Sequence, residues 1–298
     1  MSKQLIDPET GEIINVSRYI TPEQDERISN FRRMTKKARK LHKMIAQHCG
    51  GFFFYRYQDL LSVLDGDTAT GFRFVYLCAC ATKEGYFIKY NNELCRTQED
   101  FTYIFDKTKD TVKKYLLKLE ERNLIFKDEK GYKLNSLYYY CSLNNDDEQK
   151  RNSVRTFRNC VKELYNNSNP NEHALMGELL KFVPYINIYN NVVCWNPEES
   201  DKNEVQPLTL RDIRYIIREN SNYGRELEEK LEMIFIKGEP VFGKFEAANE
   251  HHYVINPRLL YRGNDPSQFK SLIDQFDIAK GQYLNKQHKL RKRKMENV

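Results

Sequence analysis

The chain has 298 residues, with 48 Lys and Arg against 42 Asp and Glu and a formal net charge of +6. That length accommodates about two domains of ordinary size. With 40% hydrophobic and 13% aromatic residues, it holds enough apolar surface to build cores, which excludes wholesale disorder, a collagen-like repeat and a small disulfide scaffold. The seven cysteines (Cys49, Cys78, Cys80, Cys95, Cys141, Cys160 and Cys194) are scattered without a Cys-x-x-Cys pair. They read as reduced thiols, with no metal and no cofactor expected. No apolar run approaches the about 18 residues of a membrane span, and the opening stretch lacks a basic segment followed by an apolar one, so the expectation is a cytoplasmic protein with no membrane partner.

In chain order, Ile6-Asp-Pro-Glu-Thr-Gly11-Glu-Ile-Ile14 places Pro and Gly between apolar ends, as a short hairpin arm requires. Residues 31–43 then carry seven cations (Arg32, Arg33, Lys36, Lys37, Arg39, Lys40 and Lys43) and no acid, and residues 286–294 carry six more. Together these outnumber the whole net charge of +6, so the remainder of the chain is mildly acidic. Two local basic segments on an acidic body suggest contact with a polyanion. In the first, Phe31, Met34, Leu41 and Met44 are spaced to anchor a helix. The run 52–57 reads as a strand and 73–81 as a short buried helix with Cys78 and Cys80 in the core. Residues 144–151 read as a polar linker and 154–165 as a connecting helix. The expected organisation is an arm and basic helix at 1–50, a first domain at 51–143, a linker helix at 144–170, a second domain at 171–265, and a helix with a basic tail at 266–298.

The most informative stretch is 97–134. Thr97 can cap a helix burying Phe101, Ile104 and Phe105, and Thr108 can cap a second burying Val112, Leu116 and Leu119. Two capped helices across a three-residue turn form a helix-turn-helix, and 124–126 with 132–134 form a two-stranded hairpin, a wing. Lys109, Lys113, Lys114 and Lys118 lie off the buried stripe. Such a turn projects the start of the second helix outward, where its residues and dipole can meet a major groove. Thr108, Lys109, Asp110, Thr111, Lys113 and Lys114 are therefore candidate DNA-contacting residues, joined by Lys130 in the wing turn. The lysines would chiefly set phosphate register, and Thr and Asp can read base edges.

The pattern recurs. Tyr86-Phe-Ile-Lys-Tyr-Asn-Asn92 returns as Tyr185-Ile-Asn-Ile-Tyr-Asn-Asn191, Thr97-Gln-Glu-Asp-Phe101 as Thr209-Leu-Arg-Asp-Ile213, and Tyr132-Lys-Leu-Asn135 as Tyr253-Val-Ile-Asn256. The same order with a growing offset implies a second copy with insertions around 195–207 and 238–250. The fold class expected is α+β, mainly α, with two tandem winged helix-turn-helix domains joined by a helical linker. The copies differ in charge. The second helix of the second copy, 223–232, is acidic, whereas the helix before it places Arg211, Arg214 and Arg218 on one face, able to grip a phosphate backbone.

Residues 51–135, through Thr97-Gln-Glu-Asp-Phe101 and Tyr132-Lys-Leu-Asn135, resemble winged helix-turn-helix proteins of Gram-positive plasmids and their phages, including replication initiators. Tyr253-Val-Ile-Asn-Pro-Arg-Leu-Leu-Tyr-Arg-Gly263 is similar to the end of that module. The resemblance implies two winged helices in one chain, one reading origin repeats and the other dimerising or gripping a second site. Enzymatic activity is not expected. The adjacent His251 and His252 project to opposite faces of a strand and cannot share a metal, and no phosphate-binding Gly-x-x-x-x-Gly-Lys loop occurs. The function expected is site-specific binding of double-stranded DNA by a plasmid- or phage-type regulator or replication initiator. Arg32, Arg33, Lys36 and Lys37 would add reach, and host replication or transcription proteins and a second copy of the chain stand as further partners. The alternative is an interaction module that docks on polymerase or a host factor through the acidic helix.

Overall fold

In the computed structural model, residues 3–6, 10–16, 20–89, 91–141, 152–217, 230–231, 234–247 and 250–296 are described. Strands β1 (Lys3–Ile6) and β2 (Ile13–Val16) form the antiparallel hairpin expected of the arm. Helix α1 (Pro22–His48) starts at Thr21, whose hydroxyl accepts the Gln24 amide while the Gln24 side chain accepts the Thr21 amide, a reciprocal cap. Strand β3 (Phe52–Arg56) runs directly into α2 (Tyr57–Leu64), followed by α3 (Thr68–Cys80). After a 3-10 turn at Gln98–Phe101 come α4 (Thr102–Phe105), α5 (Lys109–Glu121) and the hairpin β4 (Ile125–Lys127) with β5 (Tyr132–Leu134). Strand β6 (Tyr139–Tyr140) closes this half.

The second half opens with β7 (Ser153–Phe157), α6 (Arg158–Asn166) and α7 (His173–Glu178), which continues as a 3-10 segment to Tyr185. Then follow α8 (Leu210–Ile217), the short pair β8 (Phe235–Ile236) and β9 (Glu239–Pro240), the hairpin β10 (Phe242–Ala247) and β11 (Glu250–Ile255), β12 (Leu260–Tyr261), and α9 (Pro266–Glu296). The fold is α+β with small antiparallel sheets. Among the described residues no helix is long and apolar enough to cross a membrane.

One expectation fails here. Residues 154–157 are strand, and the helix begins only at Arg158. Val154 and Thr156 are β-branched, and all five residues of β7 are buried between β3 and β12, so pairing on both edges overrides any helical reading.

That strand reveals a symmetry. The four-stranded sheet runs β12-β7-β3-β6, and β3 pairs with β7 about the Phe54–Arg155 pair. Phe54 meets Tyr140 on one side and Arg155 meets Tyr261 on the other; Tyr55 meets Tyr139, and Thr156 meets Leu260. Each half thus supplies one central and one edge strand in the same register, related by a local twofold axis. The repeated words occupy matching conformations. Asn92 and Asn191 both take positive φ, 64° and 58°. The Asn135 amide donates to Leu124 O, and the Asn256 amide to Val241 O. Asn135 Oδ1 accepts the Leu137 amide, and Asn256 Oδ1 accepts that of Arg258.

The halves share one core. Phe53, Phe74, Phe105 and Leu116 belong to the same buried cluster as Val183, Ile213, Phe242 and Ile255. Helices α3 and α7 cross so closely that a Cβ on Gly177 would stand 1.9 Å from Thr68 O, which leaves room there for glycine alone. Arg158, from the second half, donates to Cys78 O, Ala79 O and Ala81 O at 3.0, 2.9 and 2.7 Å and so satisfies the open end of α3. Arg262 does the same for Val183 O, Pro184 O and Ile186 O at the end of the 3-10 segment. A second cluster joins Leu41 and Ile45 of α1 and Cys49 just after it to Phe269, Ile273 and Phe276 of α9 and to Phe157. Leu41 and the half-buried Met44 anchor α1 as expected, but Phe31 and Met34 are 70% and 69% exposed. Helix α9 begins only at Pro266, level with Lys37 through the 3.6 Å pair to Asp265, so it covers only the later part of α1.

Candidate nucleic-acid interface

Periodicity places α5. Val112, Leu116 and Leu119 are fully buried and Tyr115 nearly so, leaving Lys109, Asp110, Lys113, Lys114 and Leu117 on the outer face. The preceding segment is fixed by Thr97 and Asp100, whose carboxylate accepts the Arg96 and Thr97 amides at 2.7 and 2.8 Å and pairs with Lys89 at 2.9 Å. Burial pushes that carboxyl up, but these bonds outweigh it and hold Asp100 at about 2. Phe101 and Phe105 are buried as expected, and Ile104 is partly so. Tyr76 on α3 donates its hydroxyl to Ile104 O, locking α4 to the core.

Thr108 has the extended backbone of a cap but makes no capping bond; its hydroxyl lies 3.0 Å from that of Thr111. The first-turn amides of α5 therefore carry no side-chain cap. Lys109 pairs with Glu99 at 2.9 Å, an exposed contact worth little in water. Lys118 turns instead to Asp67, the cap residue of α3, at 3.1 Å, and Arg122 reaches the same carboxylate at 3.4 Å. Those two cations serve the fold. Lys113 and Lys114 are exposed and, among the described residues, have no ion-pair partner.

The hairpin beside α5 is rigid at its tip. Asp128 accepts the Lys130 and Gly131 amides at 2.9 and 3.1 Å and the Tyr86 hydroxyl at 2.6 Å, leaving the Lys130 side chain exposed. The Tyr86 bond is the largest of the effects that lower the Asp128 carboxyl below its ordinary value.

In the second half, α8 starts with the same device: Asp212 Oδ2 accepts the Thr209 amide at 2.8 Å, and Thr209 Oγ1 accepts that of Asp212 at 3.3 Å. Arg211 is exposed, and Arg214 is half-buried with its Nε inside and, among the described residues, without a hydrogen-bond partner. Burial of Ile213 turns the helix so that Tyr215 takes the outward position. Arg218 and most of the acidic segment 223–232 lie outside the described residues.

Tyr215 corresponds to Tyr103, and both are 78% exposed. Sequence reasoning missed this pair because an aromatic residue in a helix reads as core. The available signal was its recurrence at the offset of the Thr-x-x-Asp cap.

On α1, Arg32, Arg33, Lys36 and Lys37 are exposed; Arg33 donates to Asn30 at 3.1 Å. Because α1 packs on α9 whereas α5 packs on α3 and on the turn at Gln98–Phe101, the candidates of α1 and those of α5 lie on different parts of the fold. Among the described residues no three His, Cys, Asp or Glu side chains converge as metal ligands would. Neither a family model, nor a curated protein, nor a solved structure matches this chain.

Proposed function

We propose that the chain binds double-stranded DNA at specific sites through two unequal winged helix-turn-helix units, α5 with the β4–β5 hairpin being the reader of the first, and that it acts as a transcription regulator or a replication initiator. The observation that carries this reading is the outward face of α5. Lys113 and Lys114, exposed and without an ion-pair partner among the described residues, stand beside Asp110 and an uncapped helix start, on a helix whose other face is buried. Free lysines on a rigid, projecting helix suit phosphate contact, and the start of a helix favours anions. The local twofold supports a paired arrangement, with Tyr103 and Tyr215 at equivalent outward places.

The experiment is selection of bound duplexes from a random pool, followed by a salt titration on the selected site. Replacing Lys113 and Lys114 by Ala is expected to weaken binding on every sequence and to lower the slope of log K against log salt by about 1.8. An unchanged slope, or a pool that yields no enriched sequence, refutes the reading.

A further inference from the structure

Two surfaces unconnected with α5 have complementary chemistry. The first is the unpacked part of α1, where the stripe that buries Leu41 and Ile45 against α9 continues toward the N-terminus as Met34 and Phe31, 69% and 70% exposed, flanked by cations with no acid between residues 31 and 43. The second is the loop 195–206 of the second half. It is held shut by the Cys194–Pro207 bridge, the Trp195 amide on Gln206 O at 2.9 Å and Asn196 Nδ2 on Glu204 O at 2.8 Å. Trp195 is 45% exposed, its ring at right angles to that of Tyr185. The same loop carries the exposed Glu198, Asp201 and Glu204 against one cation of its own, Lys202, although Glu198 also feels the charge of Arg262.

We propose that α1 of one copy docks on this loop of a second copy, Phe31 and Met34 covering Trp195 while the cations of α1 meet the loop's carboxylates. Each surface then covers the apolar side chains that the other leaves in water, and opposite charge sets the orientation. A symmetric contact of α1 with α1 is disfavoured, because it would bring two runs of seven cations together. An arginine over an indole face adds a favourable cation–π term. The contact joins two different patches, so it is heterologous and closes into a dimer only if both copies engage reciprocally.

The test is sedimentation velocity on the full chain without DNA, across concentration and at low and high salt. The wild type is expected to associate with rising concentration, less so at high salt. The double substitution Phe31→Asp with Met34→Asp, and separately Trp195→Ala, are each expected to abolish or sharply weaken association while leaving the circular dichroism spectrum unchanged. Mixing the two variants is the decisive arm: the intact α1 of one meets the intact loop of the other, so association returns in the mixture. A wild type that stays monomeric to about 100 μM overturns the proposal. So does association that survives both variants, failure of the mixture to recover, or a variant that weakens DNA binding while associating normally, which would assign α1 to nucleic acid. DNA binding through α5 stands or falls separately, since neither variant touches it.

Discussion

Lowering the pH should destabilise this protein through one buried imidazole. His173, at the start of α7, is fully buried against Phe72, Tyr115 and Tyr165, accepts the Arg73 Nε at 3.2 Å on Nδ1, and leaves Nε2 without a hydrogen-bond partner. Burial above all, and then the charges of Arg73 and Lys107, push it down to about 4. In the unfolded chain it titrates near 6.5, so above that pH the ring is neutral in both states and contributes no pH dependence. As pH falls below 6.5 the unfolded chain takes up a proton that the folded one refuses, and the loss levels off near pH 4 at about 3 kcal/mol. At pH 5 it amounts to about 2 kcal/mol.

Urea unfolding of the wild type and of His173→Asn, which keeps an acceptor for Arg73, measures this. The variant is expected to be weaker at pH 7, because it loses ring packing, but its stability should fall by about 2 kcal/mol less than the wild type's between pH 7 and pH 5. Equal falls in the two proteins would refute the argument, since every other titrating group is common to both.

Tyr103→Ala and Tyr215→Ala should each reduce affinity for the selected duplex with no change in melting temperature, because both rings already lie in water; an altered melting temperature with unaltered affinity would make them structural. Replacing Arg158 by Met strips three carbonyls at the end of α3 of their donor and should cost about 3 kcal/mol in chemical denaturation, and a loss within experimental error would show that water substitutes. Gly177→Ala forces a methyl group into Thr68 O and should cost at least about 3 kcal/mol, separating α3 from α7; a folded protein of wild-type stability would mean that the crossing is looser than described.

Where local chemistry and packing agree, as in the capped turn at Thr97, the buried stripe of α5 and the β4–β5 hairpin, periodicity and turn residues sufficed to read the fold. Val154–Phe157 was illegible because its state is decided by partners about 100 residues away: without β3 and β12 beside it, a short Val-Arg-Thr-Phe run leading into a helix looks like that helix's first turn. For the same reason the start of the second half hid inside an apparent linker. Among the candidate site residues, Lys113 and Lys114 were legible as the polar positions of an amphipathic helix. Lys118 was not separable from them, since its engagement by Asp67 is a tertiary fact. Phe31 and Met34 have the spacing of anchors, but only the position of α9 determines how far along α1 that spacing is used.

The sheet centred on Phe54 and Arg155 joins two halves as a dimer interface would, yet one backbone carries both. Association of the halves is thus intramolecular, at an effective concentration that dilution cannot lower. The shared core should therefore stay folded on dilution to concentrations at which contacts between separate chains have dissociated. The two helices that carry the exposed rings, α4 with Tyr103 and α8 with Tyr215, are thereby held in fixed relation at any concentration of the chain.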